Sequence, residues 1–154
     1  MTAVDLVWRI TRLRKIVDQE AFTQRLDLEL HKAIRLGYCV SIVFMMTEPE
    51  AAGRYGSFRG LAEILAGHTR ATDLVAIIPP RFLGLLLVDA PRSSLQQIVD
   101  RLSTRAGLDE TLTPWSAGAS TYPETGQRVE DLLRQATELM ARADADGGNR
   151  LYLP

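Results

Sequence analysis

Two apolar runs separated by a pair of prolines constrain this chain more than any other feature. Leu74–Ile78 and Leu83–Val88 are each almost wholly apolar, and Pro79-Pro80 opens the short gap between them. Runs of this length on either side of turn residues predict a β-hairpin. Proline has no N–H to give to a sheet ladder, so Pro79 and Pro80 belong in the turn. Just upstream, Arg70 and Asp73 sit at the polar end of a predicted helix that runs into the hairpin.

The rest of the chain supplies helices to cover such a sheet. Ala3–Leu13 reads as a helix with one face made by Val4, Val7 and Trp8 and another by Leu6, Ile10 and Leu13. A helix apolar on two sides needs covering twice, either by its own domain alone or by its domain and a partner subunit or upstream helix. Arg12, Arg14 and Lys15 at its end suit its negative pole. Asp18 is a good N-cap for a second helix, Gln19–Leu36, which Gly37 stops. Tyr38–Met46 is nearly all apolar, as a strand covered on both faces should be.

A polar loop with Glu48 and Glu50 follows. Two carboxylates in a loop can hold a metal or do acid–base work, but solvated loop charges explain them more simply. Ser57 is placed to cap a helix from Phe58 to about Thr69. After the hairpin come a helix over Ser93–Arg105, a strand over Trp115–Thr121 with small residues at its centre, a helix over Val129–Ala143, and a closing edge strand over Arg150–Leu153. The expected fold class is α+β: a βαββαβ core whose mostly antiparallel central sheet is flanked by helices, with an extra N-terminal helix. Residues 1–17 form an N-terminal helical arm and residues 18–154 the core of a single domain.

Composition narrows the function. A chain of 154 residues is long enough for one domain with a sizeable core. Its net charge of −1 gives no field that favours nucleic acid or an anionic membrane. Cys39 is the single cysteine, so no internal disulfide forms, and a reducing, cytoplasmic setting is expected. The apolar run around Cys39 is too short to cross a bilayer. The N-terminus mixes acids and bases and has no long apolar core, so neither a signal peptide nor membrane insertion is expected.

The order of motifs resembles that of a GGDEF domain, the diguanylate cyclase family, without its signature pentapeptide. The family reads R-x-x-D, five residues, G-G-D/E-E-F, then an apolar strand. Here Arg70 and Asp73 match the first element, Leu74–Ile78 the spacer, and Pro79-Pro80-Arg81-Phe82-Leu83 stands where the pentapeptide would be. Leu61-Ala62-Glu63-Ile64-Leu65 is similar to the family's L-A-x-x-L helix. Ser116–Ser120 stands for S-I-G-V-A, and Gly147-Gly148-Asn149-Arg150 resembles the closing G-R-N-R.

The resemblance implies a catalytically inactive relative. Diguanylate cyclases bind GTP with two divalent metals. The prolines at 79 and 80 replace glycines that let the backbone approach a nucleotide. The metal-ligating acid falls at Phe82 and the acid before it at Arg81. The first-strand acids fall at Met46 and Glu48, and the basic residues near the last helix fall at Asp144 and Gly148. No catalytic residue, metal or cofactor is therefore expected.

What the chain keeps resembles the family's inhibitory site for cyclic di-GMP. There an arginine addresses guanine and phosphate, and an aspartate accepts from the guanine N–H edge. The matching positions are Arg70 and Asp73, with Arg101 in the helix after the hairpin as a third member. The implied function is a non-catalytic cyclic di-GMP receptor with a partner protein or a second copy as its output. The alternative is a nucleotide-free interaction or dimerisation domain in a bacterial signalling system. The residues also allow plainer roles. A cation at a helix C-terminus is favoured by about 0.3–1 kcal/mol without any ligand, Asp73 can bond turn backbone, and Arg101 can be a solvated helix residue. His68 could stack on a purine or simply end its helix. His31 reads as exposed, and Trp115 as core rather than a stacking platform.

Overall fold

A computed structural model describes residues 1–48, 58–80, 82–108 and 114–154; the side chains of residues 11–13 are not described. Six strands form one sheet: β1 (Ile16–Val17), β2 (Val40–Thr47), β3 (Leu74–Ile78), β4 (Phe82–Val88), β5 (Trp115–Tyr122) and β6 (Arg150–Tyr152). Their order across the sheet is β1-β3-β4-β2-β5-β6. The four inner strands pair antiparallel, and each edge strand pairs parallel. The helices are α1 (Ala3–Arg14), α2 (Gln19–Leu36), α3 (Phe58–Gly67), α4 (Leu95–Arg105, entered through a 3-10 turn at Arg92–Ser94) and α5 (Val129–Ala145).

Alternation along the central strands divides the core in two. Val43 and Met45 of β2 join Leu83, Leu85 and Leu87 of β4 in one layer, under α3 and α4. Ile42, Phe44 and Met46 join Leu86 in the other, under α2 and α5. Every residue of β2 is buried, as its unbroken apolar run predicts. Where the sheet meets α5, the backbones nearly touch. A Cβ at Gly118 would lie 2.2 Å from the backbone nitrogen of Met140 and 2.3 Å from the carbonyl oxygen of Ala136. Only glycine allows that approach.

The helix signals act as expected. Asp18 Oδ1 accepts a hydrogen bond from the Ala21 N–H at 2.8 Å. Gly37 ends α2 with φ of 76° and donates its N–H to the Ala33 carbonyl. At the start of α1, Thr2 Oγ1 accepts from the Asp5 N–H and Asp5 Oδ2 accepts from the Thr2 N–H, a reciprocal cap.

One expectation needs correction. The arm of residues 1–17 is not helical to its end: Ile16 and Val17 pair with Val75 and Ala76 as an edge strand. Its helix packs in part against α3, and it leaves Val4, Val7 and Trp8 each more than 60% exposed and Leu6 and Ile10 more than 40%. Other element ends lie within two residues of their expected positions. The helix after the hairpin starts at Leu95 rather than Ser93, because Arg92–Ser94 turns more tightly. The proposed capping residue Ser57 lies outside the described residues.

Candidate functional site

The turn between α3 and β3 is built around Asp73. The residue is 2% exposed. One carboxylate oxygen accepts the Arg70 N–H at 3.0 Å and the other accepts the Val88 N–H at 3.0 Å. A buried carboxylate needs donors on both oxygens, and here two backbone amides supply them. The Asp73 N–H closes the turn on the Arg70 carbonyl at 2.9 Å. Asp73 thereby ties the entry to β3 to the exit from β4.

Arg70 lies across the same junction. Its guanidinium donates to the Val88 carbonyl oxygen, and its Nε stands 3.6 Å from Asp73 Oδ2. Most of the side chain remains open to solvent. Arg101 approaches from α4. It is exposed, and its side chain makes no hydrogen bond or ion pair with another described residue.

Arg70, Asp73 and Arg101 line one pocket of about 310 Å³, together with Asp89, Gln97 and Ile98 among others. That volume is at the small end for ligand sites. The three residues singled out in the sequence therefore share a cavity, although Asp73 already spends its acceptors on backbone.

Sequence reading missed two neighbours. Lys15 does not serve the end of its own helix. It is 7% exposed, and its Nζ donates to the carbonyls of Ala66 and Thr69 and to Thr69 Oγ1 at 2.8–3.2 Å, closing the C-terminus of α3. Lost hydration holds its pKa below the ordinary value, against the pull of the Asp73 charge. Asp89 follows β4 with φ of 54° and donates its N–H to the Cys39 carbonyl at 2.8 Å. Burial pushes the Cys39 thiol up, and the Asp89 charge adds to it. An aspartate directly after an apolar strand was the available signal for Asp89.

The positions compared with cyclase ligands fall as follows. Met46 and Phe82 are partners in the β2–β4 ladder. Both pack in the apolar layer with Ile78. Gly148 is buried with φ of 74°, and a Cβ there would come 2.6 Å from Pro114. Asp144 accepts from Ser116 Oγ at 3.4 Å. Glu50 and Arg81 lie outside the described residues, so the Glu48–Glu50 pair is not placed. Among the described residues no three His, Cys, Asp or Glu side chains group as a metal site. His31 is exposed and bonded to the Asp27 carbonyl, His68 is exposed, and Trp115 is core.

The sheet order and helix placement have close counterparts among solved structures. The GGDEF domain of the Pseudomonas aeruginosa protein TpbB or YfiN superposes with a TM-score of 0.75 at 22% identity, covering 90% of each chain. This chain has the GGDEF fold. The GGDEF domain of DgcB from Caulobacter crescentus, in complex with cyclic di-GMP, superposes at 0.69 with 10% identity, covering 90% of this chain and 91% of that one. The diguanylate cyclase SiaD of Pseudomonas aeruginosa, in complex with its activator SiaC, superposes at 0.72 with 15% identity, covering 89% of this chain and 58% of that one. No family model and no curated protein matches the chain. Among the described residues, no helix of this GGDEF fold is long and apolar enough to cross a membrane.

Proposed function

We propose that this domain is a non-catalytic receptor for cyclic di-GMP, with the dinucleotide held in the pocket between the Arg70–Asp73 turn and α4. The observation that carries the reading is convergence. Arg70 and Arg101 come from separate elements to one opening, and the Arg101 side chain has no bonded partner among the described residues. Two guanidinium groups can take phosphate oxygens and the O6/N7 edge of guanine. Cyclic di-GMP is the ligand of a neighbour with the same fold.

The apolar rung of Met46 and Phe82 supports the non-catalytic part. By resemblance these positions hold metal-binding acids, and neither side chain here is a ligand for a hard cation. The test is calorimetric titration of cyclic di-GMP into the wild type, Arg70→Ala and Arg101→Ala. Binding that both variants weaken at least tenfold supports the reading, and equal heats in all three refute it. Incubation with GTP and magnesium should yield no cyclic di-GMP.

A second reading has its own support in α1. Five large apolar side chains exposed on one twelve-residue helix suit a domain whose task is association. Under that reading cyclic di-GMP leaves the melting temperature unchanged, while dilution changes the oligomeric state.

A further inference from the structure

We infer that α1 is a membrane-surface anchor, whose open apolar stripe lies in the headgroup layer of an anionic bilayer and holds the domain against it. The inference stands apart from the cyclic di-GMP reading and from the pocket that carries it.

The helix has two apolar sides, and its own domain covers only one of them in part. α1 packs against α3. Leu6 and Ile10 are the more covered of its apolar residues, at 47% and 42% exposed, while Val4, Val7 and Trp8 are the more open, at 64%, 61% and 63%. Successive residues advance by about 100° round an α-helix, so Trp8 stands roughly 160° from both Leu6 and Ile10. Val4 lies one turn before Trp8, and Val7 lies beside them. The three form a stripe that faces away from the domain. The reciprocal cap of Thr2 and Asp5, with bonds of 2.7–3.1 Å, starts the helix without help from a partner.

Charge identifies what covers the stripe. α1 carries Arg9, Arg12 and Arg14 against Asp5 alone, so it is positive in a chain whose net charge is −1. Its one acid is engaged at the cap, where the helix N-terminus favours it. Lys15 is buried against the end of α3 and takes no part. Arg14 lies two turns beyond Val7 on the same row, and Arg9 follows Trp8 on the flank. Both are exposed, and neither side chain is bonded to another described residue. Arginine stems can lie along the stripe while their guanidinium groups reach outward.

A second copy of the chain fits this surface less well. The twelve residues of α1 span about 18 Å, whereas a stable partner surface uses roughly 800 Å² and about 20–30 residues a side. A parallel pair would set each arginine beside its own copy, and an antiparallel pair offers only an acid already bonded in the cap. An anionic bilayer meets neither obstacle. Lipid phosphates pair with guanidinium groups, and tryptophan favours the boundary between headgroups and acyl chains. A helix with one apolar face and cations at its edge lies flat there. Among the described residues no helix is long and apolar enough to cross the bilayer, so the contact is with one leaflet.

The test uses the full chain with vesicles of phosphatidylcholine alone or mixed with phosphatidylglycerol. Trp8 is 63% exposed and Trp115 only 3%, so a change in tryptophan emission reports α1. Anionic vesicles should shift the emission to the blue and co-sediment the protein, with at least tenfold weaker binding to neutral vesicles. Val4→Glu and the double variant Arg9→Glu/Arg14→Glu should each weaken binding to anionic vesicles at least tenfold. All three positions are exposed, so the wild-type melt is kept. Ile34→Glu, at a position 62% exposed on α2, should bind as the wild type does. Failure to co-sediment with anionic vesicles overturns the inference, as does equal binding to neutral ones or undiminished binding by Val4→Glu. A blue shift that grows with protein concentration without lipid, together with a dimer in sedimentation velocity, gives the stripe to a second copy and overturns it as well.

Discussion

Replacing Asp73 by alanine tests whether the turn above the pocket is a structural bracket. The side chain satisfies two backbone donors, the N–H groups of Arg70 and Val88, at 3.0 Å each. A hydrogen bond to a charged group contributes about 1.5–3 kcal/mol, and a buried donor left unpaired costs about 1–3 kcal/mol. Arg70 is partly open to water, which can replace its lost partner, whereas the Val88 N–H lies within the ladder. The expected loss is therefore about 2–4 kcal/mol, below the full sum for two buried bonds. For a chain of this size each kcal/mol lowers the melting temperature by about 2–4 °C, so the variant should melt roughly 5–15 °C below wild type. Urea unfolding followed by circular dichroism should show a lower midpoint with an unchanged slope. Asp73→Asn should fall between the two, since it keeps one acceptor and turns a donor toward a donor. A loss under about 1 kcal/mol in the alanine variant would show that these bonds do not hold the junction, and the bracket argument would fail.

Gly118→Ala should destabilise by about 3 kcal/mol, because the new methyl meets the α5 backbone at 2.2–2.3 Å rather than a movable side chain; a wild-type melt would mean that α5 does not pack this closely. Gly84→Ala should cost less, since the nearest atoms are the Phe44 and Phe22 rings at 3.2–3.4 Å. Lys15 gives a pH signature. Burial lowers its folded pKa from 10.5, so the unfolded chain binds its proton more tightly. Its contribution to stability rises as pH increases from the lowered value to 10.5. Tyr38, pushed up to about 12 first by desolvation and then by its bond to Glu29, has the opposite slope: its contribution is full below 10.0 and is lost as pH rises toward 12. Comparing Lys15→Met with wild type by urea melts from pH 7 upward separates the two, and parallel curves would contradict the burial of Lys15. Arg101→Ala should leave the melt unchanged while weakening cyclic di-GMP binding at least tenfold, as measured by calorimetry.

Long features of this fold were legible in the sequence, and short or shared ones were not. The hairpin, the doubly covered β2 and the caps of α2 each rest on local chemistry that no tertiary contact overrides. β1 is two residues long, too brief for any periodicity, and exists only because β3 offers a parallel edge. Lys15 reads as the basic end of α1 because spacing shows a residue's own helix. Its actual partners lie more than fifty residues away, on α3 and just past its end. The R-x-x-D spacing brought Arg70 and Asp73 to one turn, but spacing cannot say whether carboxylate oxygens face a ligand or the chain's own amides. Arg101 reaches the same cavity through helix packing, which spacing along the chain does not show.

The pairing of Met46 with Phe82 bears on how such a domain could change. Ile78, Phe82 and Met46 form one rung across three strands. A single mutation placing an acid at either end of the Phe82–Met46 contact would set an anion against a thioether or an aromatic ring. Each such step is uphill in stability unless a second substitution or a bound cation offsets the buried charge. The apolar rung works as a ratchet, and substitutions on the open faces of the domain come more readily than acids at these two positions.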